Sequence, residues 1–97
     1  MTLRDQAQEE MNRRSPAQRA ALRQAWKRVE ERVITLATSG KAKAKVFEVH
    51  HAVERARTHF LIEIVKGFPA DVVERHVMAA YDRYRPDHVQ SQASDDV

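Results

Sequence analysis

The sequence predicts an all-α fold: an antiparallel helical hairpin with coiled-coil-like heptad seams, a short third helix, and assembly as a dimeric helical bundle. Three observations predict it. The 97 residues include only two Gly and three Pro, too few turn formers for a strand-rich sandwich. Apolar residues recur at three- and four-residue steps over two long stretches. Both stretches end on residues that stop helices, and the first also opens on a clear start signal.

The first long helix is expected over 16–38. Ser15-Pro16-Ala17-Gln18 opens it: Ser caps free amides, Pro suits the first helical position, and Gln three residues after the cap reaches back. Leu22, Trp26, Val29, Val33 and Leu36 then step by four, three, four and three, which is a heptad seam. Ser39-Gly40 ends it, since Gly takes the left-handed conformation at no steric cost.

The second helix is expected over 45–66, with Val46, Val49, Val53, Ala56 and Phe60 as its seam and Gly67-Phe68-Pro69 as its stop. At 1.5 Å per residue the two helices are matched at about 33–35 Å, so a short connection folds them back as a hairpin. Asp71 and Glu74 have capping-box spacing and open a third helix, which runs to about Tyr84 before Arg85-Pro86 stops it. Residues 1–14 have helical composition but only a sparse stripe of Leu3, Ala7 and Met11, so they are expected as a marginal helix or flexible arm. Residues 15–86 then form a single helical domain, and the polar residues 87–97 a disordered tail.

Such a small bundle has more apolar surface than it hides. Phe60-Leu61-Ile62-Glu63-Ile64-Val65 is apolar almost all round its helix, and Trp26 and Phe47 are further large groups. Trp26, Phe47, Phe60, Leu61, Ile62, Ile64 and Val65 are therefore the candidate protein interface. A homodimer follows, because closed two-fold pairs are the commonest oligomers.

Catalytic chemistry finds little support. With no Cys there is no disulfide, no Cys-ligated metal and no thiol nucleophile. The serines fall at caps and in the tail, and the two glycines are isolated helix terminators, so neither a Ser-His-Asp array nor a phosphate loop is legible. Glu48 and His51 form one Glu-x-x-His step, where a di-iron bundle needs two such steps and two further Glu. The Arg83–His88 spacing resembles the Arg-x4-His motif of small helical ribonucleases of the HEPN type, but Pro86 breaks the helix between the two residues. No cofactor or metal is expected.

Charge is the remaining signal. Residues 1–45 hold 11 Lys/Arg against 5 Asp/Glu, and residues 46–97 hold 6 against 9, so a +6 half adjoins a −3 half. Arg19, Arg23, Lys27 and Arg28 on the first helix, with Lys41, Lys43 and Lys45 at the turn, are the candidate nucleic-acid contacts. The N-terminus lacks an apolar leader, and the longest apolar run, Val77 to Tyr81, is far too short to span a membrane, so a cytoplasmic protein is expected. The sequence thus reads as a non-catalytic interaction module that regulates another protein, for example a transcription factor, as an anti-activator or adaptor. A dimeric nucleic-acid-binding protein is the alternative.

Overall fold

The computed structural model describes residues 1–39 and 45–84, which form four helices: α1 (Leu3–Arg13), α2 (Pro16–Thr38), α3 (Val46–Val65) and α4 (Ala70–Tyr84). Lys41, Lys43, His88 and the expected tail at 87–97 lie outside the described residues.

The N-terminal segment is a capped helix packed on the others. Thr2 Oγ1 accepts from the Asp5 amide at 3.2 Å, and Asp5 Oδ2 accepts from the Thr2 amide at 3.2 Å. This reciprocal cap satisfies two donors that a short helix would leave to water. α1 packs along α3, and its Ala7 joins the common core.

α2 begins and ends where the sequence predicts. Ser15 Oγ accepts from the Gln18 amide and Gln18 Oε1 from the Ser15 amide, both at 3.1 Å, with Pro16 in the first turn. Its buried face is Leu22, Ala25, Val29, Val33 and Ala37. Trp26 and Leu36, expected on the seam, are only half-buried beside that face. α2 touches both α3 and α4, and a helix between two neighbours buries a wider stripe than a two-stranded seam.

α2 and α3 are antiparallel. Arg14, just before α2, bonds carbonyls at the end of α3, and Trp26 meets Phe60 edge-on at a centroid distance of 5.4 Å. At the end of α3, Gly67 has φ +91°, a conformation that suits glycine and strains other residues. α4 opens at Ala70, with the Pro69 carbonyl accepting from the amides of Val72 and Val73. It then returns along α3, so Leu22, Val29 and Val33 of α2 meet Val73 and Val77 of α4 in the most deeply buried part of the core. Glu74, expected at an N-terminal cap, gives both carboxylate oxygens to Arg28 of α2. Among the described residues no helix is long and apolar enough to cross a membrane.

Candidate interaction surface

The helix packing leaves a largely apolar groove of about 720 Å³ between α3 and α4, and a more polar cleft of about 700 Å³ is lined by Glu10, Arg13, Arg14 and Arg28. Short side chains make the room: Ala52, Ala56 and Thr58 on α3, Val77 and Ala80 on α4. Phe47, Ile62 and Tyr81 add larger apolar surface, and Glu48, His51, Arg55 and His59 bring polar groups, all from α3. The α3 members recur three and four residues apart, so they form one stripe along that helix.

The structure divides the candidate interface residues into three groups. Phe60 and Ile64 are buried in the core of the single chain, so they serve its fold. Leu61 and Trp26 are partly buried against that core, and the Arg57 guanidinium lies 5.3 Å from the centre of the Trp26 ring. Phe47, 66% exposed, remains open with Ile62 and Val65. Phe47 and Ile62 line the groove. Val46, at the start of α3, is 87% exposed.

The basic candidates divide in a similar way. Arg19 donates from Nη1 to the Arg14 carbonyl at 2.7 Å. Arg28 forks onto Glu74 at 2.8–3.2 Å, and the hydrogen bond and attraction to that carboxylate hold its guanidinium above its ordinary value. Both are therefore engaged by the fold. Arg23, Lys27 and Lys45 are exposed, and the Lys45 ammonium lies 6.0 Å from the centre of the Phe47 ring.

Arg14, which reads as one more surface charge in the sequence, is a buried clamp with a side chain only 8% exposed. It donates from Nη1 to the Phe68 carbonyl at 2.6 Å, from Nη2 to the Ile64 carbonyl at 3.1 Å, and from Nε to Glu10 Oε1 at 3.3 Å. These carbonyls belong to the end of α3 and the turn after it, where the helix dipole favours a cation.

One acid is buried in the apolar run. Glu63, 4% exposed, turns Oε1 to His76 Nδ1 on α4 at 2.9 Å and to His59 Nε2 at 3.3 Å. One carboxylate oxygen thus lies within hydrogen-bond reach of two imidazole rings, one on its own helix and one on α4. The other, Oε2, has no hydrogen-bond partner among the described residues. Spacing shows the His59–Glu63 step in advance, but His76 reaches it only through the α3–α4 packing. Glu48 and His51 are both exposed, and Glu48 Oε2 accepts from the Lys45 amide at 3.1 Å as a helix cap. Among the described residues no group of three or more His, Asp or Glu could hold a metal ion.

The chain therefore belongs to the class of small all-helical proteins with an open, largely apolar groove. No family model matches it, and neither a curated protein nor a solved structure matches it at a significant level.

Proposed function

We propose that this chain is a non-catalytic protein–protein interaction module, a small regulator that docks on another protein and modulates it, as an anti-activator or adaptor acts on a transcription factor. The observation that carries this reading is the α3–α4 groove, with Phe47 exposed at one end of its stripe. Large apolar groups left in water beside a concave apolar surface are what helix-in-groove recognition uses. The nucleic-acid alternative has less support, because Arg19 and Arg28 already bond within the fold.

A photo-crosslinking residue at Phe47 tests the reading in native lysate, with one arm treated with nuclease. The expected result is discrete protein adducts, unchanged by nuclease and absent when the crosslinker replaces exposed Glu9 on α1. No adduct at Phe47, or one lost on nuclease treatment, overturns it.

A further inference from the structure

We propose that α1 is a hinged strap: it rests on α3 over the side that carries Leu61 and Ile64, and swings away while α2, α3 and α4 stay folded. The inference is independent of the α3–α4 groove, which neither Leu61 nor Ile64 lines.

The run from Phe60 to Val65 is apolar almost all round, and α3 has three helices beside it. α2 meets Phe60 through Trp26 and α4 meets Glu63 through His76, which leaves α1 for the side of Leu61 and Ile64. Ala7 of α1 shares one core cluster with Phe60 and Ile64, and Met11 and Leu61 pack against it.

The hold is slight. Ala7 is the one side chain that α1 buries fully, where α2 buries five and α3 four. A helix of 11 residues is not stable alone in water, so α1 loses its helix when it loses this contact. The joint after it permits the loss. Arg14 is pinned to the carbonyls of Ile64 and Phe68, and the Ser15–Gln18 box caps α2 with bonds of its own. Neither depends on α1. The side-chain clasp between α1 and this pin is Glu10 Oε1, which accepts from Arg14 Nε at 3.3 Å. Undocking breaks the clasp and withdraws Ala7 and Met11, while Val29, Val33, Phe60, Val73 and Val77 keep a core among the other three helices. Leu61 and Ile64 are then bared beside Ile62 and Val65, which are already exposed. The face so opened fits an amphipathic helix, and α1 is its resident occupant.

Native-state hydrogen exchange on the full chain tests this. Amides of residues 7–13 are expected to exchange at least about tenfold faster than those of residues 25–33 in α2, through an opening of their own. Glu10→Gln, which keeps the shape and removes the charge of the clasp, should speed α1 exchange about threefold and leave α2 unchanged. Ala7→Gln sets a longer polar side chain at a position 2% exposed, so it should release α1 altogether. In that variant α2 keeps its protection, and a dye that fluoresces on apolar surface binds more strongly. One opening shared by α1 and α2 overturns the proposal, as does α1 exchange indifferent to Glu10→Gln. Unfolding of the whole chain by Ala7→Gln, or unchanged dye binding, also overturns it.

Discussion

The two halves of α3 have the same apolar repeat and different fates. In the C-terminal half, Ala56, Phe60 and Ile64 are buried and Arg14 ties down the last carbonyls. In the N-terminal half, Val46 and Phe47 lie exposed while Val49, Ala52 and Val53 are half-covered. The difference is one of neighbours. α1 has 11 residues, about 16 Å of helix, and so can accompany only about half of α3. Periodicity establishes that a face is apolar, whereas the number of helices beside it decides whether the face is buried.

Two phenylalanines on the same helix put the contrast to its strongest test. Phe60→Ala should cost about 3–5 kcal/mol of stability, because it removes a buried ring and leaves a cavity. Phe47→Ala should change monomer stability by less than about 0.5 kcal/mol, as exposed substitutions do. Urea denaturation at a dilution that keeps the chain monomeric measures both, and similar losses would erase the distinction.

Arg14→Ala should cost about 2–3 kcal/mol, since it strips a buried charged donor from two backbone carbonyls. The same denaturation series checks it, and a neutral result would show that the clamp does not close the C-terminal half. A smaller effect, about 1–2 kcal/mol, is expected for His76→Ala, which leaves Glu63 with His59 as its remaining partner. Loss of the ring contact with Phe68, 5.2 Å between centroids, adds to it. His76→Phe, which keeps a ring without the donor, separates the two contributions by thermal melting.

Among the polar contacts the smallest effect belongs to Arg28→Ala, because the Arg28–Glu74 pair is largely solvent-exposed and screened by salt. Glu74 raises the Arg28 guanidinium's affinity for its proton, so its contribution is fully present below the ordinary guanidinium value. That contribution is lost only as pH rises past the still higher folded value. Titrating salt should therefore move the difference between Arg28→Ala and the unmodified protein more than titrating Arg28 anywhere near neutral pH.

Local chemistry made much of this architecture legible. The Ser15–Gln18 box set the start of α2, and the left-handed Gly67 set the stop after α3, because both act within a few residues. The matching Thr2–Asp5 box was equally present in the sequence, yet the sparse stripe behind it read as marginal because the covering surface comes from α3. Alanines were the main blind spot. Ala25 and Ala37 are core and Ala52 shapes the groove, but residues this small barely register in a heptad pattern, and of the alanines on α3 only Ala56 was read on the seam. Arg14 and Glu63 were hidden for another reason. Their partners, at Phe68 and His76, lie beyond the reach of helical spacing and meet them only after the helices pack.

Amide hydrogen exchange along α3 tests most directly whether the two halves of the helix differ in cover. The account predicts that amides from about residue 50 to 55 exchange faster than those from about 57 to 65, because the latter half is covered within the chain by Phe60, Ile64 and the Arg14 clamp. Equal protection in both halves would contradict it.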